Sequence, residues 1–399
     1  MTAPFRICIV SGAHPARNPR VVKEATALAD AGHDVEVLTV ASHRPSLRLD
    51  AESVGNARWR LCYGVDLTRG GFVHRLCTRV AREAVRRLGL QPPEALGPVR
   101  ALLKQAQQRR ADLFIVHTEP GLWVGARLLD HGRRVVVDFE DWHSEDLLPQ
   151  HRSYVPLRLL RGLEKTLLMR AAYSTTTSEV LADALHVTYG GNRPVVISNS
   201  APLSPLPDRH DDAALPRFFW FSQTLGPGRG LEAFVDAWSR MSQPSQLTLL
   251  GNGAAYVEHL RARLPVERRA NVVVQGPVPP GELPAVIARH DIGLALEVRS
   301  IRNRDLAITN KILQYLNAGL AVVATRTAGQ RETLAHRPDA GIFVDLEQPA
   351  LAATALDTLV SDRKVLSARQ AAARQLAEER YCWEREAPRL VKCVESILR

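Results

Sequence analysis

T-N-K-I-L-Q-Y-L-N-A-G-L-A-V-V-A-T, running from Thr309 to Thr325, reads as a helix capped at both ends and followed at once by a buried strand. Thr309 stands where a side-chain oxygen can accept from the first unpaired backbone N–H groups, and Gly319 where a left-handed residue closes a helix. Ile312, Leu313 and Leu316 share one face, while Asn310, Gln314 and Asn317 recur at i, i+4 and i+7 on another. An apolar face packs on a sheet, and a polar face beside a positive helix N-terminus looks into a cleft. Amide N–H groups toward phosphate and amide side chains toward hydroxyls suit a sugar nucleotide.

The same grammar of strand, turn and helix runs through the chain. Apolar β-runs are expected at Arg6–Ser11, Asp34–Val40, Arg58–Tyr63, Asp112–His117, Arg134–Phe139, Ser174–Thr177 and Val195–Ser198. They restart at Phe218–Phe221, Gln246–Leu250, Val272–Gln275, Ile292–Leu296, Ala321–Thr325 and Gly341–Val344. Helical patterns fill most gaps, from Arg20–Ala31 to Gln348–Val360, and only helix-compatible sequence follows Asp362. Alternation of this kind predicts doubly wound parallel sheets rather than a barrel or a bundle. At 399 residues the chain exceeds one ordinary core, so two α/β domains are expected, residues 1–203 and 217–380. The proline-rich, charged stretch 204–216 is the expected linker, and residues 381–399 a closing helix.

Gly226-Pro-Gly-Arg-Gly230 lies between a strand and a helix. Its glycines permit a tight turn, the helix start supplies N–H donors, and the Arg229 guanidinium can engage two phosphate oxygens. L-L-G-N-G (Leu249–Gly253), V-V-Q-G-P-V (Val273–Val278) and the Asn310 helix follow in order. Ser11-Gly-Ala-His14 ends the first strand, and Gly12 would let backbone amides approach a diphosphate. Asp138-Phe-Glu-Asp-Trp-His143 sets three acids beside an aromatic residue at a strand end. That suits a sugar acceptor, or a base whose pKa is raised by crowding.

Taken in order, these motifs resemble the retaining glycosyltransferases of family 4, whose donor helix reads roughly N-K-[LI]-x-E-Y-x-x-A-G-x-P-V-[VI]-A. The resemblance covers nearly the whole chain. It implies a GT-B fold: two Rossmann-like parallel-sheet domains facing across a cleft, with the C-terminal helix, marked by Tyr381 and Trp383, crossing back to the N-domain. It implies transfer of a sugar from a nucleotide-diphosphate donor to an acceptor hydroxyl with retained anomeric configuration. Cell-surface polysaccharide or glycolipid biosynthesis is the expected setting.

Carried over residue by residue, the resemblance gives His117 as a catalytic candidate near the donor sugar, and Glu297 at a strand exit, or Asp305, is expected to replace the family's first glutamate there. Donor contacts fall to Gly12, Gln223, Gly228, Arg229, Gly230, Asn310, Lys311 and Gln314. The acceptor side falls to His14, Asn18, Asp138, Glu140 and Asp141. There are departures. Gln314 and Leu306 stand at the family's two glutamates, Gln223 near its arginine, Ala321 at its proline, and D-F-E-D at its D-x-H-E. A catalytically silent nucleotide-sugar-binding protein and a sugar-nucleotide epimerase are therefore the alternatives.

Other chemistries lack their residues. There is no G-x-G-x-x-G after the first strand, no G-x-x-x-x-G-K-[ST] and no G-x-S-x-G. Asp-x-Asp is absent, so neither a metal nor a cofactor is expected beyond the donor itself, and the diphosphate charge would be met by Arg229, Lys311 and helix termini. The five cysteines form no C-x-x-C pair and no apolar run reaches spanning length, which with the absence of a signal-peptide pattern predicts a cytoplasmic protein. The net charge of +10 is concentrated: residues 58–110 hold twelve Lys or Arg against three acids. With few aromatics and no reading motif, nucleic acid is not an expected partner. Arg75, Arg79, Arg82, Arg86 and Arg87 interleave with Phe72, Val73, Leu76, Val80, Val85 and Leu88. A basic amphipathic helix of that kind can lie on an anionic membrane, which would suit a lipid-linked acceptor.

Overall fold

A computed structural model describes residues 4–206 and 215–398, so most of the linker lies outside the described residues. The chain divides into two compact units, residues 1–197 with 387–399, and residues 198–386. Both are α/β.

The first unit is built on a seven-stranded parallel sheet. Its strands are β1 (Arg6–Ser11), β2 (Asp34–Ala41), β3 (Arg60–Asp66), β4 (Leu113–His117), β5 (Val135–Phe139), β6 (Ser174–Thr176) and β7 (Val195–Val196), in the order β3-β2-β1-β4-β5-β6-β7. β1 and β4 are buried along nearly their whole length, as expected of central strands covered on both faces. Helix Pro19–Asp30 packs Val21, Ala25 and Leu28 on one face of the sheet. Val394, from the last helix (Trp383–Leu398), joins the same core.

Six parallel strands make the second sheet: β8 (Arg217–Thr224), β9 (Gln246–Asn252), β10 (Val272–Gln275), β11 (Ile292–Ala295), β12 (Ala321–Ala324) and β13 (Gly341–Phe343). Their order is β10-β9-β8-β11-β12-β13. Strand alternation divides its interior into two cores. Phe218, Trp220, Ile292 and Leu294 face Phe234, Trp238 and Leu356. Phe219 and Ala295 face Ile312, Tyr315, Leu316 and Leu376. At Gly293 any Cβ would overlap the Tyr315 ring, so a glycine seats helix Asn310–Asn317 directly on β11.

All thirteen expected strands are present, most within one or two residues of the expected ends. Helix Arg44–Val54 was not expected. It buries only Ser46 and Asp50, so no apolar period marks it. The unit limits also differ from those read in the sequence. Residues 198–203 pack with the second unit, where Asn317 Nδ2 donates to the Pro202 carbonyl at 2.7 Å and Leu203 joins the core. Tyr381 is buried in that core too, and the Trp383 N–H donates to Ala201 at 3.0 Å.

Candidate active site

In a doubly wound sheet the strand order reverses at one point, and loops leaving the carboxyl ends of the two strands there diverge to make a crevice. The reversals lie between β8 and β11 in the second unit and between β1 and β4 in the first. Nearly every candidate residue falls beside one of them.

At the β8/β11 point the glycine turn leads from β8 into helix Leu231–Trp238. Gly228 and Gly230 adopt φ of 79° and 80°, a conformation costly for other residues. A Cβ on Gly230 would stand 3.3 Å from the Leu296 side chain, which places the turn against the exit of β11. Arg229 is half-buried and its Nη1 donates to Ser222 Oγ at 3.3 Å. Gln223 is exposed at the end of β8.

Glu297 follows β11. Its backbone N–H donates to Thr325 Oγ1 at 3.0 Å, which ties it to the exit of β12. Its carboxylate lies 3.1 Å from Lys311 Nζ, and both residues are nine-tenths buried. The ammonium also sits 5.3 Å from the centre of the Trp220 ring. Lys311 and Glu297, read separately as phosphate and sugar ligands, are thus each other's partner. The neighbouring acid Asp305 accepts from the Ala328 N–H at 3.2 Å and pairs with Arg299, while Leu306 is half-buried.

Helix Asn310–Asn317 corrects two expectations. Thr309 has the extended backbone of a cap, but its hydroxyl accepts no capping bond and is buried without a partner among the described residues. Asn317 belongs to no cleft: it is buried, and its Oδ1 accepts from the Ser204 N–H at 3.0 Å. Gly319 closes the helix at φ 64°, as expected. Asn310 is exposed, and Gln314 is half-buried with its Oε1 unpartnered.

At the β1/β4 point the two loops are pressed together. The Gly12 N–H donates to Thr118 Oγ1 at 2.9 Å, and a Cβ on Gly12 would overlap Pro120. Among the described residues, Thr118 alone holds a positive φ without being glycine, at 62°. Strain of that kind persists where the surroundings over-determine it. Nothing in the sequence marked Thr118.

Beneath this junction lies a buried ion network. Arg20 makes a bidentate pair with Asp138 and donates from Nη1 to the Ile197 carbonyl at 2.7 Å. His117 Nε2 donates to Glu24 at 2.6 Å, and its Nδ1 lies 3.3 Å from Asp138. Burial disfavours imidazolium, but Glu24 and Asp138 outweigh it and raise the His117 pKa. Burial would likewise raise Asp138, yet Arg20 and then His117 hold it below the usual carboxylate range. Ligand-type atoms of Glu24, His117 and Asp138 lie within 4.8 Å of one another, as in a metal site. The Arg20 guanidinium already covers both Asp138 oxygens, so the positive charge is supplied by the chain.

Four candidates therefore move from surface to interior. His117 and Asp138 are each 1% exposed. His14 is equally buried: its Nε2 accepts the N–H groups of Ser42 and His43, so the proton on Nδ1 goes to Asp50 at 2.6 Å. Asn18 caps helix Pro19–Asp30 by accepting from Val21. These residues fix loops through buried hydrogen bonds and ion pairs. Glu140 and Asp141, after β5, remain partly exposed. Burial and the neighbouring Asp141 push the Glu140 carboxyl up to about 7.

Residues 18–200 match a glycosyl transferase 4-like domain, and residues 216–362 match glycosyl transferases group 1. The chain belongs to the glycosyltransferase 4-like family and has the GT-B fold. It is similar over 98% of its length, and over all of the other chain, to Alr3699/HepE of Anabaena crystallised with UDP and glucose, with 18% identity and a TM-score of 0.71. A glycosyltransferase of Rickettsia africae is similar over the whole of both chains, at 12% identity and a TM-score of 0.68. A putative UDP-N-acetylglucosamine 2-epimerase of Listeria monocytogenes is similar over 99% of this chain and 97% of its own, at 12% identity and a TM-score of 0.59. At such identities the likeness is one of fold. No curated protein sequence matches the chain.

Proposed function

We propose that the protein transfers a sugar from a nucleotide-diphosphate donor to an acceptor hydroxyl, retaining the anomeric configuration. One observation carries the donor half of this reading. On β8 and at helix Asn310–Asn317, Thr309 Oγ1, Gln314 Oε1 and Trp220 Nε1 are buried polar atoms with no hydrogen-bond partner among the described residues. Buried polar groups are nearly always satisfied, so unsatisfied ones on β8 and on the helix that carries Lys311 suit a ligand rich in hydroxyl and phosphate oxygens. Gln314 keeps both amide atoms for ribose hydroxyls although the family residue is glutamate.

The diphosphate lies at the glycine turn in this reading. The amides at the start of helix Leu231–Trp238 and the Arg229 guanidinium stabilise it as negative charge develops on the leaving group. With those cations and dipoles supplied by the chain, the reaction needs no metal. Glu297 is held for the donor sugar by Lys311 and Thr325. On the acceptor side Glu140, with its carboxyl near 7, takes up the hydroxyl proton. His117 acts through Asp138 and the backbone rather than by contact. The setting is polysaccharide or glycolipid biosynthesis at the cytoplasmic face of a membrane. Among the described residues no helix is long and apolar enough to cross one.

The test is a thermal-shift series with UDP, GDP, ADP, CMP and dTDP on the wild type and Arg229→Ala. One nucleotide stabilises the wild type and loses most of that effect in the variant. No shift with any of them would favour a silent protein. Isomerised nucleotide sugar formed without acceptor would identify an epimerase.

A further inference from the structure

The ladder between β11 and β12 changes character at its carboxyl end. The Thr325 N–H donates to the Ala295 carbonyl at 3.3 Å, as the parallel register requires. A continued ladder would next take the Glu297 N–H to the Thr325 carbonyl. That carbonyl instead accepts from the Thr327 N–H at 3.0 Å, because the chain turns there into helix Ala328–Ala335. The Thr325 hydroxyl fills the gap. Its Oγ1 accepts the Glu297 N–H at 3.0 Å and lies 2.8 Å from the Glu297 carbonyl oxygen. One side chain thus holds both backbone groups of Glu297.

The hydroxyl is itself held. Gln330 is fully buried, and its Oε1 lies 3.0 Å from Thr325 Oγ1. Its Nε2 donates to the Ala295 carbonyl at 2.7 Å, which turns the amide oxygen toward the hydroxyl. Helix Ala328–Ala335 is anchored in turn. Thr327 caps it by accepting from the Gln330 N–H, and Asp305 accepts from the Ala328 N–H at 3.2 Å. A buried glutamine costs more to desolvate than a leucine of similar size, and a fully paired one fixes a single arrangement around it. Here that arrangement is the exit of β11.

Glu297 is therefore fixed twice, at its backbone by Thr325 and at its carboxylate by Lys311, 3.1 Å away. Leu296, one residue before it, borders the glycine turn, where a Cβ on Gly230 would stand 3.3 Å from the leucine side chain. We propose, resting on the donor reading above, that Gln330 acts through Thr325 as a positioning residue that sets Glu297 against the hydroxyls of the donor sugar. Gln330 itself touches no substrate. Releasing it lets the Glu297 backbone move while the glycine turn keeps its hold on the diphosphate. A carboxylate meets hydroxyls through short, directional bonds, so displacement weakens sugar binding before nucleotide binding.

The test is titration calorimetry of bare nucleotides against their sugar esters. The probes are UDP with UDP-glucose, UDP-galactose and UDP-N-acetylglucosamine, GDP with GDP-mannose, ADP with ADP-glucose, and dTDP with dTDP-glucose. For the sugar nucleotide that the wild type binds best, Gln330→Met raises the dissociation constant roughly tenfold, the scale of one hydrogen bond to a charged group. The constant for the bare nucleotide stays as in the wild type. Thr325→Val has the same effect, and Thr325→Ser, which keeps the hydroxyl, restores sugar-nucleotide binding. In a Glu297→Ala background Gln330→Met adds nothing, because its effect passes through that carboxylate. Equal weakening of bare and sugar nucleotide would overturn the proposal. So would a lower melting temperature with both constants unchanged, which would make Gln330 part of the frame alone. Failure of the wild type to bind any bare nucleotide is the separate sign that the donor reading has failed, and the proposal would fall with it.

Discussion

The two reversal points of this chain are built from the same topology and are finished in opposite ways. At β1/β4 most polar groups are spent on one another, Arg20 on Asp138, Glu24 on His117, His14 on Asp50, and Gly12 on Thr118, with His117 Nδ1 left without a hydrogen bond among the described residues. At β8/β11 one ion pair, Lys311 with Glu297, shares its elements with polar atoms left unsatisfied among the described residues. The first arrangement fixes loops before any ligand arrives. The second leaves the last hydrogen bonds for a ligand to make. A rigid first reversal point and a less completely paired second one follow from this contrast, and substitutions at each point measure it.

The largest effect is expected at the closed network. Asp138→Ala strands the Arg20 guanidinium in the interior and removes one of the two carboxylates that favour His117 imidazolium. Breaking a buried pair by deleting one partner costs about 3–5 kcal/mol, and urea unfolding of the variant checks it. The pH dependence has a definite sign. His117 has a raised pKa when folded, so its contribution is complete below its ordinary value of 6.5 and is lost as pH rises through the folded value. Glu24→Gln shortens that window, and the wild type and variant converge in stability at alkaline pH. Parallel curves across the range would place His117 outside the network.

A smaller effect is expected at the open point. Lys311→Met leaves Glu297 buried without its cation, but this acid stands beside a ligand site and can take a proton. The loss is expected at the lower end for such pairs, about 3 kcal/mol. Replacing both partners, as Lys311→Met with Glu297→Leu, restores most of it, because an apolar pair needs no desolvation. The restored protein would still fail the nucleotide thermal-shift test if Glu297 positions donor. Full nucleotide binding by the double variant would make the pair structural and erase the contrast between the two points.

The same contrast explains what the sequence disclosed. Strands such as Arg6–Ser11 and Ile292–Ala295 announce themselves because burial on both faces demands an unbroken apolar run. The glycine turn is legible because only glycine tolerates φ near 80° at Gly228 and Gly230. The network is not legible, because Arg20, Glu24, His117 and Asp138 come from three elements and each alone looks like a surface or ligand residue. Asp50 was hidden likewise, in a helix whose buried face is polar. Asn317 misled for a related reason: helical spacing says which residues share a face, not what covers it. Thr309 had the right residue and backbone for a cap, yet its hydroxyl is left unpartnered.

Glu140 borders the closed network and yet reaches the surface, so it tests where the rigid side ends. Its carboxyl sits near 7 when folded and would titrate near 4.5 when unfolded. Between those values the folded state binds more protons, so stability falls as pH rises from 4.5 to 7. Glu140→Gln removes this slope. Relative to the wild type the variant gains stability at pH 8, by roughly 1 kcal/mol once local relaxation is allowed for, and gains nothing at pH 4. The comparison needs only unfolding curves at the two pH values. If Glu140 also accepts the acceptor proton, the variant loses the inflection near pH 7 from its pH–rate profile. A stability slope that disappears while the rate inflection remains would make Glu140 part of the frame, and acceptor chemistry would then pass to Asp141 or to the donor's own phosphate.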